Sequence, residues 1–237
     1  MKISVITPSV REEGLEMVSK CLKRQTFTDY EWLVCSPFDY KEAKWVPEPV
    51  KLGTDYYNLN KAMNALYKAS EGELLVQITD WIYFPPDALE KLWRHYEENP
   101  KSLVSAVGNQ YERVENNKPE GLVWVDPRKR LDLGTYYEVN PIDMEFCLGS
   151  LPKQAVYDVG GVDEAYDQGA AVGEKELCLR MDKLGYKFYI DQALEYRALK
   201  HPRLSEKWDD KYKIASHIFQ NHVQQINNGT RLKLNFL

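Results

Sequence analysis

Two short segments carry side chains whose type and setting suit chemistry. Asp80 stands in Gln77-Ile-Thr-Asp-Trp-Ile-Tyr-Phe-Pro-Pro, just after the apolar run Leu74 to Ile78. A carboxylate at the exit of a buried strand is placed to hold a divalent cation, which in turn neutralises phosphate oxygens. An Asp there also serves simply to cap a turn, the commoner use. Glu174 and Glu176 lie in Gly173-Glu-Lys-Glu-Leu-Cys-Leu-Arg, after the small-residue stretch Gly169-Ala-Ala-Val. A carboxylate at that place suits general-base removal of a proton from a hydroxyl. Acidic residues in a first helical turn also complement the helix dipole. That accounts for Glu176 without chemistry and competes on equal terms for Glu174.

Strands and helices must hold these groups. Lys2 to Thr7 is a β-branched run ending at Pro8, and Leu15, Val18 and Leu22 follow at helical spacing before a second compact run, Tyr30 to Cys35. The first 37 residues therefore predict a β-α-β unit with a parallel crossover. Residues 38 to 55 read as connecting structure around a short strand. Met63, Leu66 and Tyr67 mark a helix from Leu59, closed by Ser70-Glu71-Gly72, and a strand Leu74 to Ile78 follows. Leu89, Leu92, Trp93 and Tyr96 give a helical stripe that starts at Pro85-Pro86, where a missing N–H costs nothing.

Further on come a strand Leu103 to Val107, an irregular aromatic segment Asn109 to Pro141 with an edge strand at Leu122 to Val125, and the apolar run Phe146 to Leu151. A helix from Lys153, a turn at Gly160-Gly161, a helix carrying Leu177, Met181 and Leu184, and a strand Lys187 to Ile190 complete the pattern. The last segment is an amphipathic helix with Trp208, Tyr212, Ala215, Phe219 and Ile226 on one face. Alternating strands and helices predict an α/β protein with a mostly parallel central sheet flanked by helices. Such sheets bind ligands at the carboxyl ends of their strands, here near Thr7, Cys35 and Thr79.

The 237 residues suffice for one large domain with a helical tail. Net charge is −5 and the longest cationic cluster is Arg128-Lys129-Arg130, which argues against extended nucleic-acid binding. Apolar runs fall well short of the ~20 residues a membrane span needs. With no secretory signal ahead of the first strand, a cytoplasmic location is expected. The dispersed cysteines, Cys21, Cys35, Cys147 and Cys178, read as free thiols.

Taken in order, several segments resemble the family 2 glycosyltransferases of the GT-A fold: Ile3-Ser-Val-Ile-Thr-Pro, Gln25-Thr-Phe-Thr-Asp-Tyr-Glu-Trp-Leu-Val, Leu59-Asn-Lys-Ala-Met-Asn with Gly72-Glu, Pro86-Asp-Ala-Leu-Glu, Gly160-Gly-Val-Asp-Glu, and Gly173-Glu-Lys-Glu-Leu-Cys-Leu-Arg with Gly185-Tyr. The resemblance covers residues 2 to about 190. It implies a catalytic domain over residues 1–200, with a donor half to about 108 and an acceptor half from 109, while the amphipathic last segment makes 201–237 a helical extension packed on it. The implied activity is sugar transfer from a nucleotide-diphosphate donor to an acceptor hydroxyl, usually with inversion. Thr7, Pro8, Ser9, Glu12, Lys61 and Asn64 would then hold the donor, and Glu174 would be the base, with Glu176 its neighbour.

The family's base-contacting Asp-Asp-Gly-Ser is Ser36-Pro-Phe-Asp here, which leaves Asp39 for that contact. Its Asp-x-Asp-Asp aligns with Thr79-Asp80-Trp81-Ile82, so Asp80 alone remains to hold Mn²⁺ or Mg²⁺ beside the donor phosphates. His201 is a second candidate ligand, or else a surface loop histidine. Lys61, Arg128, Arg197 or Arg203 would neutralise the phosphates in a metal-free alternative. Trp81, Tyr83, Trp124, Tyr136 and Tyr137 either stack on sugar or pack as core and lid. A saccharide, a lipid-linked sugar or a modified nucleobase would serve as acceptor. Two rival readings are a catalytically silent sugar- or nucleotide-binding protein and a nucleotidyltransferase. The latter lacks its usual glycine-rich, lysine-containing loop here.

Overall fold

The computed structural model describes residues 1–47, 58–115, 118–169, 172–201 and 208–237. Its chain order is β1 (Ile3–Pro8), α1 (Glu12–Leu22), β2 (Tyr30–Ser36), β3 (Lys44–Pro47), α2 (Leu59–Ala69), β4 (Leu74–Ile78), β5 (Ile82–Tyr83) and α3 (Ala88–Glu98). It continues with β6 (Ser102–Glu115), β7 (Lys118–Trp124), β8 (Tyr136–Glu138), β9 (Leu148–Pro152), α4 (Lys153–Asp158), α5 (Gly173–Asp182), β10 (Lys187–Leu199) and α6 (Trp208–Asn227).

These strands form one sheet in the order β3-β2-β1-β4-β9-β6-β10-β5, with β7 added to β6 and β8 to β10. The first half is parallel throughout: β2 pairs with β3, and β1 pairs with β2 and β4. Every residue of β1 and β4 is buried, as both faces of a parallel sheet require. Past β4 the sheet is mixed, because β9 runs antiparallel to both β4 and β6 while β10 runs parallel to β6. The mostly parallel arrangement thus holds for the first half and changes at β9.

Alternation along the strands splits the core into two layers. Val5, Val34, Val76 and Ile78 pack under α1 and α3 with Leu15, Val18, Leu89 and Leu92. Ile6, Leu33 and Leu75 face α2, α4 and α5 through Leu66, Tyr67, Val156, Leu177 and Met181.

Two strands run further than periodicity indicates. β6 continues to Glu115 and β10 to Leu199, and the two stay paired across a register shift between Asp191 and Tyr196. That irregularity interrupts the alternation, and polar residues such as Gln110 and Arg113 fit a strand with one solvated face. Gly108 allows the pairing, since a Cβ there would lie 2.3 Å from the Tyr196 ring.

In α6, Ala215 and Ile226 are buried, but Tyr212 is 48% exposed rather than on the packed face. The Trp208 side chain lies outside the described residues. After α6 the chain doubles back, and Leu234 and Phe236 donate backbone N–H groups to Val159 and Gly160 at 2.9 and 3.3 Å. Among the described residues no helix is long and apolar enough to cross a membrane. The four cysteines form no disulfide among the described residues.

Candidate active site

Three strand exits meet at Asp80. β1 delivers Pro8, Ser9 and Arg11; β4 delivers Asp80; β10 ends two residues before His201. Asp80 is 7% exposed, and both of its carboxylate oxygens accept hydrogen bonds. Its Oδ2 accepts from Ser9 Oγ at 2.6 Å and Arg11 Nε at 2.9 Å, and its Oδ1 accepts from Arg11 Nη2 at 2.6 Å. This is a bidentate fork, the strongest geometry an arginine offers a carboxylate. Arg11 Nη1 also lies 2.5 Å from His201 Nδ1. Arginine only donates, so Nδ1 accepts and the imidazole proton is on Nε2.

The residue after Asp80 is strained. Trp81 takes a left-handed φ of 61° and its indole Nε1 is buried without a hydrogen-bond partner. A bulky residue in that region costs about 1–3 kcal/mol and persists only where its surroundings impose it. Here Gly14 of α1 packs against the turn, with Trp81 Cδ1 2.6 Å and Asp80 Cβ 2.8 Å from where a Cβ would stand. On the other side, Leu199 donates its backbone N–H to the Trp81 carbonyl at 2.8 Å.

Glu174 enters from the opposite side, in the first turn of α5. Its Oε1 accepts from Gln77 of β4 at 2.6 Å and its Oε2 from the Phe146 backbone N–H at 3.3 Å. Burial raises its pKa above the ordinary 4.5, opposed by these two hydrogen bonds and reinforced by Glu145 nearby. The residue as a whole is half-buried, with both carboxylate oxygens held by these hydrogen bonds. The residue capping α5, Val172, is the second non-glycine with positive φ, at 56°. The two strained residues of the described chain thus flank Asp80 and Glu174. Ala170 and Ala171, part of the small-residue stretch before Glu174, lie outside the described residues.

No protein-family model and no curated protein matches the chain. Solved structures do. S. aureus TarS 1–349 superposes with a TM-score of 0.57 at 13% identity, over 84% of this chain and 60% of that one. The same TarS fragment in complex with UDP-GlcNAc gives 0.63 at 14% identity, over 94% and 66%, and longer TarS gives 0.59 at 15% over 97% and 43%. The chain has the GT-A glycosyltransferase fold. It spans between 43% and 66% of the length of these neighbours.

Within the GT-A fold, the residues implied by the resemblance divide into those at the centre and those occupied elsewhere. Pro8, Ser9, Asp80 and His201 converge, together with Arg11. Thr7 is fully buried and its hydroxyl accepts from Trp32 Nε1 at 3.1 Å. Glu12 is exposed on the first turn of α1, and Asp39 is exposed beside Lys41. Lys61 lies in the first turn of α2, where Asp167 accepts from the Asn60 and Lys61 backbone N–H groups at 2.8 and 3.1 Å. Asn64 is 2% exposed and spends its amide on Val162 and Glu164, so it fastens α2 to the Gly160-Gly161 turn.

Glu176 has no open face. It and Arg180 are both fully buried, 2.8 Å apart, and Arg180 also donates to the Val159 and Gly161 carbonyls. Arg231 of the tail reaches Glu176 at 3.3 Å and pairs with Asp163. Asp163, Glu176 and His222 lie close enough to share an ion, but the two guanidinium groups already neutralise that cluster. Glu176 therefore ties the tail to α5.

Nor does the set around Asp80 fit a divalent cation. Such an ion sits ~2.1 Å from a carboxylate oxygen. At Asp80 that leaves it roughly 4 Å from the Arg11 charge, a repulsion of about 8 kcal/mol at an effective dielectric of 20. His201 offers Arg11 the nitrogen it would give a metal. The expectation of a metal on Asp80 and His201 meets a carboxylate and an imidazole already committed to one guanidinium. Arg128 is likewise engaged, on Asp126, Ser105 and the Ala106 carbonyl, and Arg203 lies outside the described residues.

Sequence reasoning missed Arg11. The signal was available in the lone Asp80: a buried carboxylate deprived of its acidic partners needs a cation, and Arg11 lies in the loop of the adjacent strand exit.

Proposed function

We propose that this chain transfers a sugar from a nucleotide-diphosphate donor to an acceptor hydroxyl, with inversion at the anomeric carbon. The observation that carries this reading is Glu174. Its carboxylate has a raised pKa and is bonded to Gln77 on the very strand that exits at Asp80. A carboxylate made more basic by burial and held in place by two hydrogen bonds suits proton abstraction from a hydroxyl.

The donor diphosphate lies over the exits of β1 and β4, against Ser9 and the Asp80 turn, with Lys61 and Glu12 at the margins and Asp39 near the nucleoside. TarS was solved with UDP-GlcNAc, which makes that nucleotide sugar the first donor to try here. As Glu174 takes the acceptor proton, the hydroxyl oxygen bonds to the anomeric carbon from the face opposite the diphosphate. The carbon–oxygen bond to the β-phosphate breaks and its electron pair leaves with the nucleoside diphosphate. One base and one displacement invert the centre.

Purified protein incubated with UDP-, GDP-, dTDP- and CDP-sugars and a mixture of saccharide acceptors tests this directly. Release of a nucleoside diphosphate, accelerated by acceptor, is expected for at least one pair. Binding of donors without release across the panel would favour the silent binding protein instead.

A further inference from the structure

We infer that Arg11, clamped by Asp80, takes the place of the metal ion and itself binds the diphosphate of the donor; this rests on the reading of the cleft as a nucleotide-sugar site. The guanidinium has five N–H donors. Nε and one N–H of Nη2 go to Asp80, and one N–H of Nη1 goes to His201. Two N–H groups remain, one on each terminal nitrogen, and the Arg11 side chain is 18% exposed. A group fixed on one edge and open on the other is a preorganised anion receptor, because its orientation is settled before ligand arrives.

Asp80 is then a positioning residue. It holds Arg11 in the fork and does not touch phosphate, since two anions there would repel. His201 fixes the remaining rotation of the guanidinium, and the strained Trp81 turn, locked by Gly14, sets the carboxylate. The replacement of an acidic motif by Asp80-Trp81-Ile82 follows: with a permanent cation supplied by β1, further carboxylates would only oppose it. When the sugar–phosphate bond breaks, negative charge grows on the β-phosphate oxygen, and a guanidinium stabilises it with no ion to recruit.

Calorimetric titration of UDP and of inorganic pyrophosphate, each in EDTA and then in Mn²⁺, tests the assignment. Both are expected to bind in EDTA, with no gain in affinity from Mn²⁺. Arg11→Ala should weaken both by ~10-fold or more. Arg11→Lys, which keeps charge but not the fork, should recover only part. Asp80→Asn should weaken binding in EDTA without creating a metal requirement, the readout that separates a positioning residue from a ligand. Binding that vanishes in EDTA and returns with Mn²⁺ would overturn the inference, as would wild-type affinity in a folded Arg11→Ala. The wild-type titrations decide the matter even if a variant fails to fold. Pyrophosphate bound through Arg11 with no nucleotide bound would leave the anion site standing and sink the donor reading. Neither ligand bound under either condition would sink the inference itself.

Discussion

Gln77 donates to Glu174 at 2.6 Å, so the carboxylate that heads α5 is fastened to β4, three residues before Asp80. The two ends of the proposed reaction are thereby referenced to one buried strand, ~10 Å of extended chain apart. Replacing Glu174 by Gln should preserve this tie while removing the base. Transfer should fall by ~10²- to 10⁴-fold, with donor affinity unchanged by titration. Full activity in Glu174→Gln would remove Glu174 from the mechanism.

Burial raises the Glu174 pKa above 4.5, and this has two pH consequences. The base works only when deprotonated, so the transfer rate should rise with pH through the raised value and then level. Stability runs the other way. Between the unfolded and folded pKa values the native state holds the extra proton, so stability falls as pH rises through that window. Thermal melts at pH 4 to 8 should show a shallower decline in Glu174→Gln than in the wild type, the remainder coming from Asp167, whose pKa burial also raises. A variant with an unchanged pH slope would mean that Glu174 is not the group responsible.

Gly14→Ala reverses a familiar sign. Within a helix, alanine normally stabilises by about 1 kcal/mol over glycine. Here the added Cβ would stand 2.6 Å from Trp81 Cδ1 and 2.8 Å from Asp80 Cβ. Overpacking of this kind costs about 1–3 kcal/mol. Chemical denaturation should show a net loss, with a parallel drop in UDP affinity as the Asp80 turn shifts. A stabilised, fully active Gly14→Ala would show that the turn has room to move.

Glu176 separates a structural carboxylate from a catalytic one. Removing one partner of a fully buried ion pair leaves the other uncompensated, at a cost of about 3–5 kcal/mol. Glu176→Gln should therefore lower the denaturation midpoint strongly, while the fraction that remains folded keeps its turnover number. Loss of turnover without loss of stability would return Glu176 to the chemistry.

Much of this arrangement is legible in the sequence because it is local. The apolar runs of β1, β2 and β4 and the stripes of α1 to α3 depend on neighbours within a few residues, and the segment order pointed to the fold. What is not legible depends on distant contacts. β6 and β10 extend beyond their apolar runs because each pairs with the other, and Gly108 matters only because Tyr196 crosses it. Asn64 sits in a motif position, yet its partner Val162 comes from a loop with no periodic signal; Glu176 has Arg180 one helical turn on, but its second partner, Arg231, comes from the tail. The lone Asp80 signals the need for a cation, but only the folded chain shows that Arg11, 69 residues away, supplies it.

A crystal structure of the protein soaked with UDP-GlcNAc tests the central claim most directly. The diphosphate should lie within hydrogen-bonding distance of Arg11 at the Ser9–Asp80 exit, with the anomeric carbon facing Glu174. A nucleotide sugar bound elsewhere, or one whose anomeric carbon is walled off from Glu174, would contradict it.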